Sequence, residues 1–457
     1  MKRNRKRGGG MLGRLVCWPA GQARQCLRGA AVATSRATSW FAGLGGRLRR
    51  SRAERGGRAE PGPPADEPRP RGVDLPMVAA VMALLGLGTV MVYSSSAVFA
   101  GAKYGNASFF LQRHLVYGVI GLVAFYVGWR LDYGFYRRFT YPMLIGTFVL
   151  LVAVLIFGTK IDGARRWFHL AGVSFQPSEP AKLALIVYLA HSLTKKRDTV
   201  RLFSIGFLPH LCVAGLMGLL VLRQPDLGTA AILGLVTLLV LFVAGTKLSY
   251  IVISLLAAAP VAYHLMVGTP WRLRRLLAYL DPWAYRRDAG YQISESLISI
   301  GSGGLHGLGL GDGKQKLFFL PAAHTDFIFA IIGEELGLVG MAAVVGLIVL
   351  IVLCGLRAAL RARDLFGSYL AYGITATFGF QALLHVSVVL GLVPTKGITL
   401  PLVSYGGSAL VTTLFCMGVL LNIAAGNLEP ARVKLNERRG NNRKKQTRVA
   451  VAQPGGS

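Results

Sequence analysis

The residues best suited to chemistry lie in one stretch, FFLPAAHTDFIFAIIGEELGLVG, residues 318–340. His324, Thr325 and Asp326 open an apolar run, and Glu334 and Glu335 sit inside it. Carboxylates are costly at membrane depth, so ionisable groups in such a run are functional candidates. A helix starting near Asp326 puts Asp326, Ala330, Gly333, Glu334 and Gly337 on one face by helical spacing. That face is small or acidic throughout, which leaves room for a ligand or a second backbone. The plainer reading makes Asp326 a helix N-cap and pairs Glu334 and Glu335 with cations on neighbouring helices. A lone carboxylate beside cations suits a general base.

The elements that must position this stretch are membrane spans. Hydrophobic residues make up 53% of the 457 residues and charged residues only 16%. Apolar runs of about 20 residues, the length that crosses a bilayer, recur along the chain. Ten spans fit, at 77–98, 110–129, 141–158, 178–193, 203–222, 227–244, 249–267, 325–356, 369–390 and 403–424. The predicted fold is therefore all-α, a polytopic membrane protein with a long outer loop, about 268–324, between spans seven and eight. An even count places both tails on one side. Connections on that side carry Arg130, Arg137, Arg138, Lys195, Lys196, Arg197, Arg201, Lys247, Arg357, Arg361 and Arg363, so both tails are expected in the cytoplasm.

The opposite, outer connections collect a second set of polar groups. After span three come Arg165 and Arg166, then Ser178, Glu179 and Lys182. Two outer arginines defy the positive-inside bias and point to a bound anion, whereas Glu179 and Lys182, at i, i+3, can simply pair. After span five, Gln224 precedes Asp226, which reads mainly as the N-cap of span six. In the long loop, Trp271, Leu273, Leu276, Leu277 and Leu280 alternate with Arg272, Arg274 and Arg275, a basic amphipathic helix suited to the outer membrane surface. The glycine-rich segment from Gly301 lacks the strand and βαβ unit of a nucleotide site, but beside Lys314 and Lys316 its amides suit a phosphate. Lys396 and Ser404 lie in a Pro- and Gly-rich link between spans nine and ten, which reads as broken helix lining a cavity.

The net charge of +31 does not signal nucleic acid. Much of it lies in residues 1–72, read as a disordered basic cytoplasmic tail, and in a second basic tail at 428–457, flanking a membrane domain at 73–427. Such tails bind anionic lipid, and no aromatic residues are interleaved to stack bases. Residues 1–72 carry no secretory signal pattern. Five cysteines, Cys17, Cys26, Cys212, Cys354 and Cys416, have no metal-ligand spacing, and no disulfide is expected. No Ser-His-Asp or Cys-His arrangement stands out. From the residues alone, the outer cations around Asp326 suit an isoprenoid phosphate in the outer leaflet, handled by an enzyme or by a transporter.

Stretches 163–182, 224–229, 281–295, 319–340 and 394–408 resemble the SEDS family (FtsW/RodA/SpoVE) of bacterial cell-wall polymerases. The likeness runs from Met77 to about Asn427, and the combination of HTDFIF (324–329) with SYGGS (404–408) is highly specific. PTKGITLPL (394–402) and GDGKQKLFFLP (311–321) resemble the family's division branch. Ala322 and Ala323 depart from it, since an acidic residue often precedes the histidine. The resemblance implies a peptidoglycan glycosyltransferase that polymerises lipid II in septal cell-wall synthesis, with loss of undecaprenyl diphosphate. Asp326 matches the family's catalytic aspartate, which takes the proton from the acceptor sugar hydroxyl. An α-linked diphosphate that becomes a β-linked glycan implies one displacement with inversion, by analogy with inverting glycosidases. Arg165, Arg166, Lys182 and Lys396 are assigned to the diphosphate, with Glu179 and Ser404 among the substrate-binding residues. His324, Thr325, Glu334, Gln224 and Asp226 are assigned supporting roles.

No cofactor follows with certainty. A divalent cation, Mg or Mn, is left open, with Glu179 as its extra ligand or as an orienting partner of a cation. The implied partners are lipid II, a class B penicillin-binding transpeptidase, a division regulator complex and membrane lipids. The implied location is the bacterial cytoplasmic (inner) membrane at the division septum. Two competing functions are a lipid II flippase, using His210, Glu334 and Glu335 as relays, and a non-catalytic scaffold for the transpeptidase. The span count is tested by reporter fusions at Gly301 and Thr194, which should report outside and inside respectively. Reports from one side at both positions would refute it.

Overall fold

A computed structural model describes residues 73–161, 163–170 and 173–426. The two tails read from the sequence lie outside the described residues. The chain within them is α1 (Leu75–Tyr104), α2 (Phe109–Arg130), the short α3 (Tyr133–Arg138), α4 (Thr140–Phe157), strands β1 (Thr159–Ile161), β2 (Ala164–Leu170) and β3 (Val173–Phe175), then α5 (Ser178–Lys195), α6 (Leu208–Arg223) and α7 (Leu227–Ala244). It continues with α8 (Leu248–Val267), α9 (Pro270–Leu280), α10 (Tyr291–Gly303), α11 (Ile328–Arg361), α12 (Leu365–Val389) and α13 (Gly407–Ala425). Among the described residues, nine helices are long and apolar enough to cross a membrane, and the protein is a multi-pass membrane protein. The tenth expected span is α5, which is as long as α4 and α7, at 18 residues. It carries Glu179, Lys182 and Lys195 and so reads as less apolar, but it is the most enclosed of the set. Fourteen of its residues are buried, against α4, α7, α12 and α13. A polar helix survives in the bundle because its neighbours, rather than lipid, meet its charges.

The helices stop and start where the sequence provides caps. Asp226 accepts from the amide and hydroxyl of Thr229 at 3.0 and 2.7 Å and starts α7. Asp364 accepts from Gly367 N and starts α12. Gly105 and Gly245 close α1 and α7 in the left-handed conformation. The most extensive helix pair, α2 with α13, meets at small residues. A methyl group at Gly128 would stand 2.7 Å from the carbonyl oxygen of Phe415. Small contact residues are what let helices approach closely where lipid supplies no hydrophobic drive.

The link after α4 is a small antiparallel sheet in the order β1-β2-β3, where hydropathy alone indicates only a connection between spans. Lys160 pairs with Arg165, and His169 with Ser174. Alternation along β2 sends Arg165 and Arg166 to opposite faces.

The largest departure from the sequence reading is at α11. Its cap is Phe327, so Asp326 lies in the turn before the helix and is neither its N-cap nor on its face. At Gly337 the helix breaks, with φ +66° and ψ −164°. The interrupted backbone is stitched to the glycine-rich loop: Leu308 N and Gly309 N donate to the carbonyls of Glu334 and Glu335, and Leu338 N and Val339 N donate to those of Gly304 and Leu305. The two glutamate side chains take the next amides. Glu334 accepts from Lys314 N at 2.7 Å and from Gln315 N, while Glu335 accepts from Gly311 N and from Lys316 Nζ, the latter at 2.7 Å. Ser94 of α1 donates to Glu335 at 2.7 Å. The loop amides expected to wrap a phosphate thus wrap the protein's own carboxylates. Lys316, expected near Asp326, is instead buried against Glu335.

This junction needs glycine. Gly307 sits at φ +82° and Gly337 at +66°, each with the backbone of the other's segment where a methyl group would go. Gly307→Ala and Gly337→Ala are each expected to cost at least roughly 1–3 kcal/mol, the usual cost of a strained backbone conformation. Gly301→Ala, in the open at a helical position, should be neutral or mildly stabilising. Thermal unfolding of purified variants in detergent checks this, and equal melting temperatures for all three would contradict it.

Candidate functional site: a cation-lined cavity around Asp326

The links after the third, fifth, seventh and ninth spans converge at one end of the bundle and enclose a cavity of about 580 Å³. Its wall comes from each link in turn: Arg166 on β2, Asp226 before α7, Arg272 and Arg275 on α9, Gln292 on α10, Asp326 before α11, and Lys396 and Gly397 before α13.

Each side chain has a structural reason to be there. Arg166 donates from Nε to the carbonyl of Gln224 at 2.6 Å and from Nη2 to that of Pro225 at 2.8 Å, tying the sheet to the turn that carries Asp226. On α9, Arg272 and Arg275 stand three residues apart, one turn of helix, and both lie near the face of Trp271, at 5.2 and 5.1 Å from the ring centre. Gly397 lets the last link pass close to the carboxylate, since a methyl group there would sit 3.1 Å from Asp326 Oδ2.

Asp326 is held by its backbone. Its amide donates to the carbonyl of Ala322 at 3.1 Å. The SYGGS corner grips the two preceding residues, with Ser404 Oγ donating to Thr325 O at 2.7 Å and Tyr405 N donating to His324 O at 3.0 Å. Ser404 Oγ also accepts from Leu400 N at 2.8 Å, which closes its own turn. The His324 ring packs among Phe99, Phe110 and Tyr405, with centroids 6.0, 4.5 and 5.8 Å away. Burial there pushes its pKa down to about 4, so it is a neutral packing residue at ordinary pH.

The carboxylate itself is largely buried, opens to the cavity and, among the described residues, makes no direct ion pair. Its surroundings push its pKa up to about 6, chiefly through burial. Arg275 and then Arg166 oppose the rise, and the Asp226 carboxylate adds to it. Burial likewise lowers the Lys396 ammonium, while Asp226 pulls it back up. A carboxylate titrating near neutrality in a cleft lined by cations has the character of a general base. The cations around it suit an anionic, phosphate-like group.

Of the residues assigned from the sequence, Arg166, Asp226, Asp326 and Lys396 meet in this cavity. Arg165, on the opposite face of β2, donates to the carbonyls of Leu155 and Ile156 instead. Glu179 and Lys182 form a buried ion pair at 2.9 Å, which Gln381 completes by accepting from Lys182 Nζ at 2.8 Å. They line a separate small cavity of about 30 Å³ beside Cys416 and Pro401. Lys182 is therefore not an outer cation, and Glu179 is not a spare metal ligand, because its carboxylate is already taken. Among the described residues, no three His, Cys, Asp or Glu side chains converge to hold a metal. Ser404 and Thr325 act through the backbone clamp, and Gln224 supplies the carbonyl that Arg166 uses, its own side chain reaching Leu151 O at 3.4 Å. Glu334 belongs to the α11 junction.

The sequence reading missed Arg275, the cation with the largest effect on Asp326, as well as Gln292 and Thr395. Thr395 is buried in the cavity wall with its hydroxyl unpartnered. The signal for Arg275 was present in its i, i+3 spacing from Arg272. The same pattern suits a membrane surface, because an amphipathic helix does not say which of its polar groups turn inward.

The chain is similar to known proteins in both sequence and fold. The FtsW/RodA/SpoVE family, described as "Cell cycle protein", matches residues 75–428. A Geobacter sulfurreducens protein named "Probable peptidoglycan glycosyltransferase FtsW" is 46% identical over 353 residues, 77% of this chain and 95% of that one. Stage V sporulation protein E of Bacillus subtilis is 40% identical over 353 residues, 77% and 96% of the two chains. Among solved structures, a chain from "Structural coordination of polymerization and crosslinking by a peptidoglycan synthase complex" superposes with a TM-score of 0.65 at 30% identity, covering 78% of this chain and 99% of that one. The rod shape determining protein RodA of Thermus thermophilus gives 0.56 at 28% identity, covering 78% and 98%. With the family spanning nearly the whole described domain, this chain belongs to the FtsW/RodA/SpoVE cell cycle protein family.

Proposed function

We propose that the protein is a peptidoglycan glycosyltransferase that polymerises lipid II at the outer face of the bacterial cytoplasmic membrane, with Asp326 as general base. The observation that carries this reading is the Asp326 carboxylate, open to a 580 Å³ cavity with its pKa raised to about 6, with Arg166, Arg275 and Lys396 in the same wall. In this mechanism Asp326 takes the proton from the acceptor hydroxyl as that oxygen attacks the anomeric carbon of the donor. The bond to the lipid diphosphate breaks on the opposite side, inverting the centre. The diphosphate leaves as an anion and needs charge stabilisation more than a proton, which is the work given to the three cations. Thr395 and Gln292 offer polar groups for orienting the sugars.

The names of the relatives and the synthase-complex neighbour support the activity and a crosslinking partner, here a class B transpeptidase. A septal site of action, contact with division regulators and cytoplasmic tails complete the proposal. The flippase reading needs His210, Glu334 and Glu335 as mobile relays. Against it, His210 is held between Gly206 O and Ser192 Oγ at 2.8 and 2.9 Å, and both glutamates hold the outer loop.

The test is glycan made per unit time from lipid II by purified variants with the transpeptidase present. Asp326→Asn, which keeps shape but cannot take a proton, should slow polymerisation by roughly 10²-fold or more while leaving lipid II binding largely intact. Asp226→Asn, which keeps a residue able to cap α7, should be much milder. Polymerisation by Asp326→Asn at near the parental rate would overturn the mechanism and favour the flippase or scaffold reading.

A further inference from the structure

The outer loop after α10 exposes Leu305, Leu308, Leu310, Leu317, Phe318 and Phe319, each between 43% and 62% exposed. So large an apolar surface on a loop marks a contact with lipid or protein. Two observations identify the occupant. First, the loop continues the exposed apolar surface of α11. Residues 328–335 of that helix are all buried, and its exposed surface begins at Leu338 and Val339, 51% and 60% exposed. Those two residues donate their amides to the carbonyls of Gly304 and Leu305, so the loop leucines extend the same face. With Arg357 and Arg361 beyond the apolar core, the part of α11 past the break that spans it, 338–356, is about 29 Å long at 1.5 Å per residue against a core of roughly 30 Å, so the break falls at the outer edge of the hydrocarbon.

Second, eight of the sixteen backbone amides of 304–319 already have partners within the protein. Non-helical chain enters hydrocarbon only where its N–H groups have partners. Here Gly307, Leu308, Gly309 and Asp312 donate to carbonyls. Gly311, Lys314 and Gln315 donate to the carboxylates of Glu334 and Glu335. The Lys316 ammonium turns inward to the Glu335 carboxylate. The exposed Asp312 and Lys314 mark its watery edge, and Lys103 and Arg113, beside Phe99 and Phe109, fit the aromatic and basic residues of a headgroup layer.

We propose that residues 304–319 form a collar seated in the outer leaflet, in contact with lipid acyl chains, which fixes the height of the Asp326 turn against the headgroups. The two glutamates inside α11 are the groups that let this loop enter the membrane.

The test reconstitutes the full chain, with its native cysteines replaced, into phosphatidylethanolamine–phosphatidylglycerol vesicles. Spin labels are placed one at a time at Leu308→Cys, Leu310→Cys and, as the water-facing reference, Asp312→Cys, with Leu305→Cys as a further position should one variant fail to fold. Collision with oxygen should exceed collision with a water-soluble nickel chelate at 308 and 310, and the order should reverse at 312. Chelate access at 308 and 310 equal to that at 312 would overturn the proposal by placing the loop in water. Exclusion of both reagents from 308 and 310 would overturn it as well, by showing that a second copy covers the face.

Discussion

The structure depends on the satisfaction of backbone amides around a broken helix. A span interrupted at Gly337 exposes donors and acceptors that hydrocarbon cannot meet. The glycine-rich loop answers with four main-chain hydrogen bonds, and Glu334 and Glu335 take the loop's remaining amides together with Lys316. Neither glutamate is spare, and neither faces the cavity. Their cost at that depth is offset by the number of donors each receives, the condition under which buried charge is tolerated.

From that fixed junction the chain climbs to the turn that presents Asp326. The turn is gripped from the other side by Ser404 and Tyr405, which bind the carbonyls of Thr325 and His324. Two sequence-distant motifs thereby become one rigid unit. Among the described residues its carboxylate makes no ion pair, and its neighbours are held through their backbones. The balance of charge then sets its chemistry. Burial raises its pKa, Arg275 and Arg166 restrain the rise, and a value of about 6 leaves it ionised yet basic at neutral pH.

Much of this was legible in the sequence. The helical class, the gathering of the odd-to-even links at one end of the bundle and the place of Asp326 among them follow from apolar run lengths, the spacing of the links and one carboxylate at an apolar boundary. Other features were not legible, for physical reasons. The start of α11 could not be placed, because Asp326 suits an N-cap whether or not the helix begins there. Glu334 reads as facing Asp326 only on an unbroken helix that includes both. Arg165 and Arg166 separate once a strand alternates them, and a strand of this length was hidden in a link. Glu179 and Lys182 have a spacing equally suited to pairing and to substrate, and only their burial decides for pairing.

The claim at the centre of the account is that Asp326 acts as a base whose readiness is set by the cations around it. The most direct measurement is the pH dependence of polymerisation for the parental protein and for Arg275→Gln. The rate should fall as pH drops through about 6, where Asp326 becomes protonated. Because Arg275 lowers that pKa, its removal should move the falling limb to higher pH. A limb that stays in place on removing Arg275, or a rate that is flat through this range in the parental protein, would contradict the account.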